Sequence, residues 1–236
     1  MLVPGRKPIG HVVADHPFFA RGSLIHLFRG GLYDSVLGSA WYNAGSGDQI
    51  LNNQWGIYHG ENCKMSRVGA GHTRHGGIPT TKHPHTMFCR TYHPYIIAST
   101  TTFVGSSASI NGGFRVATRL SYDSRPALTL GGTGGGSWFL DTVVPTGAWL
   151  NMAVSYDGVN SANYATFTEK HGLYSAYQSL NNTWNTTDGV FIVGGYDTSA
   201  PGLDVFYSLA FYEPRHRSLR ELEAIVLDPF QFLVPA

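Results

Sequence analysis

The chain has 236 residues, with 16 Lys+Arg against 15 Asp+Glu and only 13% charged residues, about half the usual share of roughly 25%. A net charge of +1 with 13% aromatics excludes disorder and binding driven by phosphate neutralisation, and five Glu residues are too few for a coiled coil. What remains is a Gly-, Ser-, Thr- and Asn-rich chain, long enough to bury a core without disulfide staples.

Residues 1–20 read as an extended arm, broken by Pro4, Gly5, Pro8 and Gly10 ahead of His16-Pro17. No apolar run marks a secretory leader, and none approaches the roughly 18 residues of a membrane span. Residues 23–28 form a candidate strand closed by Gly30-Gly31. The stretch 43–85 is rich in Gly and Asn, which predicts short strands and no long helix.

From residue 86 the pattern becomes regular. Residues 87–92 and 95–104 are β-rich runs. Phe114, Val116, Thr118 and Leu120 alternate with Arg115, Ala117 and Arg119, the period of a half-buried strand. Residues 127–130 follow, then the breaker Gly131-Gly132-Thr133-Gly134-Gly135-Gly136. Further strands are expected at 138–144, Trp149–Tyr156, 164–168, Val190–Val193 and 205–212, with Asp157-Gly158 as a strong turn signal. Ser218-Leu219-Arg220-Glu221 fits a capping box, helical spacing continues through Leu222, Ile225 and Val226, and Asp228-Pro229 stops it. The predicted fold is all-β: a two-sheet antiparallel jelly-roll sandwich, residues 21–236, with one short C-terminal helix. Cys63 and Cys89 read as two buried thiols.

Several segments resemble the concanavalin A-like lectin/glucanase jelly roll in its laminin-G-like form. Gly147-Ala148-Trp149-Leu150-Asn151-Met152-Ala153-Val154-Ser155-Tyr156-Asp157-Gly158 is similar to that family's G-x-W-x-x-[VM]-A-V-x-Y-D-G strand and turn. The run from Arg217 to Glu223 resembles its closing R-x-L-S-x-x-E-I helix. Leu227-Asp228-Pro229-Phe230-Gln231-Phe232 looks like the ending of phage and prophage copies. The opening from His16-Pro17 to Leu24 and the turn Tyr33-Asp34-Ser35 are similar to theirs, so the likeness runs over roughly residues 16–236. One departure is Glu169-Lys170-His171-Gly172, where the family carries Asp-Gly.

The resemblance implies a lectin-like jelly roll. Hydrolytic members of the superfamily carry E-x-D-x-E on one strand, so that alternate carboxylates share a face. This chain has no such triplet. Its nearest acid pair, Glu221 and Glu223, falls on the capped helix. There is no G-x-S-x-G elbow and no phosphate loop. The expectation is therefore a chain without enzymatic activity. For glycan or partner binding, the candidates are Trp184, Asn185 and Asp188 in the polar segment 181–188, with Tyr196 and Asp197. A weaker alternative is a metal held by His72, His75, His83 and His85, whose H-x-x-H and H-x-H spacings suit imidazole ligands. Exposed loop histidines, or histidines at a subunit contact, are the preferred reading of that group, and no cofactor is expected.

The leading functional expectation is a phage virion accessory protein, a capsid decoration protein or a head or tail fibre component. It would contact other virion proteins through the N-terminal arm and sheet edges. The alternative is a carbohydrate-binding adhesin that reads a host-surface glycan, and a glycan hydrolase ranks third. A homo-oligomer is expected, with neither nucleic acid nor membrane as partner.

Overall fold

A computed structural model of the chain describes residues 20, 23–27, 40–41, 51–54, 57–60, 63–66, 72–76, 78–93, 101–105, 114–118, 126–130, 137–139, 145–180, 189–193 and 205–232. These residues form two antiparallel sheets and one helix, the all-β sandwich that the alternation pattern predicts.

The first sheet is built around β7 (His85–Tyr92), β12 (Trp149–Tyr156), β13 (Ser161–Thr168) and β14 (Gly172–Ser179) on one side. It continues through β16 (Val205–Glu213) to β5 (Cys63–Ser66) and β4 (Ile57–Gly60). Its order is β14-β13-β12-β7-β16-β5-β4, and β1 (Leu24–Leu27) also pairs with β16. The second sheet runs β11 (Ser137–Phe139), β10 (Pro126–Leu130), β9 (Phe114–Thr118), β8 (Thr101–Gly105), β15 (Val190–Val193), β6 (His72–Gly76), β3 (Leu51–Gln54) and β2 (Ala40–Trp41).

Side chains of β7, β12, β13 and β16 alternate between two apolar layers, as the period of two requires. One layer holds Met87, Cys89, Leu150, Met152, Val154 and Tyr212, packed with Val104, Phe191 and Val193 of the second sheet. The other holds Phe88, Ala153, Ala165 and Phe211, covered by Leu222, Ile225 and Val226 of α1 (Leu219–Leu227) and by Phe232. The molecule is thus sheet, sheet, helix in section. Cys89 is a free buried thiol, and burial pushes its pKa up.

The capping box forms as read. Ser218 is extended and its hydroxyl accepts from Glu221 N at 3.4 Å, while Ser218 N–H donates to Glu221 Oε2 at 2.7 Å. Strand β14 lies where the alternation pattern shows no strand. The departure at residues 169–171 is the tight turn of the β13–β14 hairpin, closed by the Thr168–Gly172 pair with Gly172 at φ +75°. Trp149 is half-buried on the helix-covered face, with the Arg90 guanidinium 4.1 Å from its ring centre. Arg90 Nη1 also donates to Ser208 Oγ (3.2 Å), at the irregularity between Tyr207 and Leu209 that shifts the β16–β7 register.

Gly158 turns β12 into β13 at φ +81°, and a Cβ there would lie 2.7 Å from Pro84 Cδ and backbone N. Gly172 has a similar φ of +75° with nothing within 4 Å of its Cβ position. Both substitutions to alanine meet left-handed backbone strain, but only one adds a clash. Gly158→Ala is expected to cost about 2 kcal/mol and Gly172→Ala about 1 kcal/mol, read by urea denaturation. Equal losses at the two sites would show that Pro84 gives way.

Candidate functional site

One end of the sandwich gathers the polar chemistry of the described residues. Segment 78–84 enters β7 there. The Asp157–Asn160 turn joins β12 to β13, β14 finishes, and β16 leads through Pro214 toward the helix.

Asp157 organises this turn. Its Oδ1 accepts the N–H groups of Val159, Asn160 and Ser161 at 2.8, 3.0 and 3.0 Å, and its Oδ2 accepts Ser161 Oγ at 2.6 Å. Partial burial opposes its charge, but these bonds outweigh burial and hold the carboxyl below its ordinary pKa. Its acceptor capacity is thereby largely spent on the turn.

Beside it, His83 Nδ1–H donates to Thr81 O at 2.6 Å, since a carbonyl can only accept. That leaves His83 Nε2 to accept the Tyr212 hydroxyl proton at 2.5 Å. Burial lowers the His83 pKa, against the Thr81 bond, and burial raises that of Tyr212, so both groups hold the neutral forms this pairing needs. His85 is fully buried on β7, stacked on Tyr212 with ring centres 5.7 Å apart, and its Nδ1–H donates to His83 O at 3.0 Å. Burial first, and then the neighbouring His83, bring its pKa down to about 3. Lys82 places its ammonium 5.9 Å from the Tyr156 ring centre at the same end.

The four histidines considered as metal ligands are divided between the two sheets, and the side chains of His72 and His75 lie outside the described residues. His72 and His75 lie on β6 of the second sheet, opposite Gln54 and Phe191, while His85 opens β7 in the first and His83 precedes it in segment 78–84. His83 and His85 stand with ring centres 4.9 Å apart. His83 has both ring nitrogens in hydrogen bonds, and His85 is a core residue rather than a loop residue. Among the described residues, no three His, Cys, Asp or Glu side chains gather as a metal site.

Trp184, Asn185, Asp188, Tyr196 and Asp197 lie outside the described residues. The flanks of the first group are described. Leu180 N–H donates to Asn160 O at 2.6 Å, and Ile78 N–H donates to Gly189 O at 3.3 Å. Gly189 has φ +69°, and a Cβ there would meet Thr80 Cγ2 at 2.9 Å. The described residues on either side of that segment, Leu180 and Gly189, are therefore held at the end that contains Lys82, His83 and Asp157. The chain carrying Tyr196 and Asp197 leaves β15 from its other end, after Val193. Lys82 and His83 were missed as a set with Tyr212, which is 129 residues away from His83. Only the β7–β16 register brings them together.

No protein-family model matches the chain, and no curated protein matches it by sequence. Solved structures do. Trypanosoma rangeli sialidase, also solved in complex with sialic acid, matches with TM-score 0.63 and 10% identity over 90% of this chain. The receptor binding domain of botulinum neurotoxin D matches with TM-score 0.58 and 8% identity over 76% of this chain. The botulinum neurotoxin serotype D ligand binding domain, in complex with N-acetylneuraminic acid, matches with TM-score 0.53 and 11% identity over 75% of it. The chain spans 33% of the sialidase and 47% of the receptor binding domain. These likenesses establish a lectin-like β-sandwich fold.

They also correct the expectation of a chain without enzymatic activity. The missing E-x-D-x-E triplet speaks only to one arrangement of carboxylates, whereas the matching chains include sialidases. Freedom from catalysis therefore does not follow from the missing motif, and at this identity the shared property is the fold alone.

Proposed function

We propose that this chain is a glycan-recognising β-sandwich that takes sugars at the end holding Lys82, His83 and the Asp157–Asn160 turn. The observation that carries this reading is the anchoring there of the two residues that flank segment 181–188, through Leu180–Asn160 and Ile78–Gly189. It attaches an indole, two amides and a carboxylate, Trp184, Asn185, Asn182 and Asp188, to a rigid platform. Sugar recognition needs an apolar ring face together with fixed hydrogen-bonding groups. An acidic sugar can pair its carboxylate with the Lys82 ammonium at this end. That the matched sialidase and toxin domain have been solved with sialic acid or N-acetylneuraminic acid supports the same sugar class.

The test is a glycan array that carries sialylated and desialylated partners of each structure. Trp184→Ala is expected to weaken binding at least tenfold, about 1.4 kcal/mol, for both classes. Lys82→Ala is expected to weaken only the sialylated class. A folded protein with no signal on the array would refute the reading.

A second reading, a virion accessory role, is favoured by the C-terminal run Leu227-Asp228-Pro229-Phe230-Gln231-Phe232 and its likeness to phage copies. That run seats Phe232 in the helix-covered core with Phe230 packed against it, so it is part of the domain. The two readings agree if the sandwich is the glycan-reading element of a particle. Co-purification with phage particles at a fixed, symmetric copy number is the expected result for the second.

A further inference from the structure

The edge of the first sheet is open at β14, and among the described residues no strand pairs with its outer side. Edge strands are usually shielded by charge, proline or brevity. This one has eight residues, Gly-Leu-Tyr-Ser-Ala-Tyr-Gln-Ser, with neither charge nor proline. Four large apolar side chains are exposed among the described residues. Two of them, Leu173 and Tyr177, lie on this strand, and Tyr177 is 61% exposed. A third, Leu227, lies on α1 one turn beyond Glu223, whose Oε1 accepts the Ser175 hydroxyl at 2.5 Å. Helical spacing sets Arg220, Glu223 and Leu227 along the stripe facing the same edge.

The backbone register shows which groups of β14 point outward. Leu180 N–H donates to Asn160 O, so Asn160 and Leu180 are a hydrogen-bonded pair, and every second pair after it is too. Gln178, Ala176 and Tyr174 therefore direct their amides and carbonyls toward β13. Leu173, Ser175 and Tyr177 direct theirs away from it, and their side chains share the helix-covered face.

We propose that the occupant of this edge is a second copy of the same chain, joined antiparallel about a two-fold axis through Ser175. In that register Ser175 faces Ser175, and Leu173 of each copy faces Tyr177 of the other. All three outward residues then form reciprocal main-chain bonds, and two aromatic–aliphatic cross-strand pairs cover the exposed side chains. The absence of charge on β14 means that the axis brings no like charges together on the strand. The two helices run antiparallel across the joint, each with its Glu223 held beside the axis by the Ser175 hydroxyl. One two-fold operation satisfies the backbone ladder and the apolar pairs together. The interface is independent of the glycan reading, because it lies along a sheet edge and not at the loop end.

Sedimentation of the full chain is expected to show twice the 25.7 kDa of one chain at high-micromolar concentration. Ser175→Pro removes an outward N–H, which an edge strand tolerates, and is expected to give a folded monomer. Tyr177→Lys, which keeps the Ser175–Glu223 bond, is expected to do the same. On mild oxidation, Ser175→Cys is expected to yield a covalent dimer, since directly paired residues fall within disulfide reach. Val159→Cys, exposed in the β12–β13 turn, is expected to dimerise as the wild type does and to form no covalent dimer. A monomeric wild-type chain would overturn the proposal, as would dimers that persist in folded Ser175→Pro and Tyr177→Lys. Equal cross-linking at position 159 would do so as well.

Discussion

Replacing Arg217 with alanine is expected to destabilise the protein by about 3 kcal/mol, read as a lowered urea midpoint at unchanged slope. Glu213 is fully buried at the end of β16 and Arg217 is 4% exposed. The guanidinium reaches both carboxylate oxygens, Nε to Oε2 at 2.5 Å and Nη2 to Oε1 at 3.2 Å. Two charges out of water are tolerated only while this geometry holds, so removing the cation leaves the carboxylate buried with little compensation. Loss of one partner of a buried pair costs about 3–5 kcal/mol, and the lower end applies here. Arg215 Nε remains 3.0 Å from Glu213 Oε1, and Ala20 N–H still donates to that oxygen at 2.8 Å. The same residue ties three elements: Arg217 N–H donates to Ser155 Oγ of β12 at 2.7 Å, and Ser218 beside it caps α1. Lys170→Ala, exposed in the β13–β14 turn, is the control and is expected to change stability by less than about 0.5 kcal/mol. A loss below about 1 kcal/mol at Arg217 would mean that water or Arg215 takes over the carboxylate.

This ion pair also shows where sequence patterning ends. Residues 205–212 alternate cleanly and read as a strand, and Ser218–Glu221 reads as a cap, because both signals are local. That Glu213 and Arg217 form a buried clamp between them follows from the packing of β1, β7 and β12 around the end of β16. Strand β14 was illegible for a different reason. It sits at a sheet edge, so Tyr174 and Ala176 pack inward while Leu173 and Tyr177 face outward. Apolar residues on both faces erase the period of two. His85 follows Pro84 in a Gly- and Pro-rich stretch and reads as a loop residue, yet its backbone pairs with Tyr156 and its ring is core. The glycan candidates were chosen by composition, which identifies sugar-friendly segments without saying which end of the sandwich each leaves from. The described flanks divide them, assigning the Trp184 segment and the Tyr196 segment to opposite ends of β15. Catalysis is not decided by missing motifs, because their absence says nothing about carboxylates brought together from distant strands.

Acid is expected to unfold the protein well before its carboxylates titrate. His85 and His93 are both buried, and burial first, with the nearby His83 adding for His85, holds each pKa near 3. In the unfolded chain each returns to about 6.5. Between these values the unfolded state binds protons that the folded state refuses, so stability is fully present above pH 6.5 and falls as pH drops toward 3. Two such groups give a slope of about 2.7 kcal/mol per pH unit in the steep part of the window, and a loss of about 4 kcal/mol by pH 5. Asp157 and Glu221, whose pKa values lie below the ordinary range, add to the loss only at lower pH, as their carboxylates protonate. His85→Phe keeps an aromatic ring beside Tyr156 and Tyr212 but cannot take a proton. It is expected to be less stable at pH 8, through loss of the bond to His83 O, and to lose stability at half the wild-type rate on acidification. Urea midpoints measured from pH 8 to pH 5 check both. A wild-type midpoint unchanged over that range would mean that both rings are protonated inside the fold. Because the His83–Tyr212 pair rests on the same β7–β16 seam as His85, loosening there reaches the proposed sugar end first. Glycan binding by the intact chain is accordingly expected to weaken over the same pH window and to be less pH-sensitive in His85→Phe.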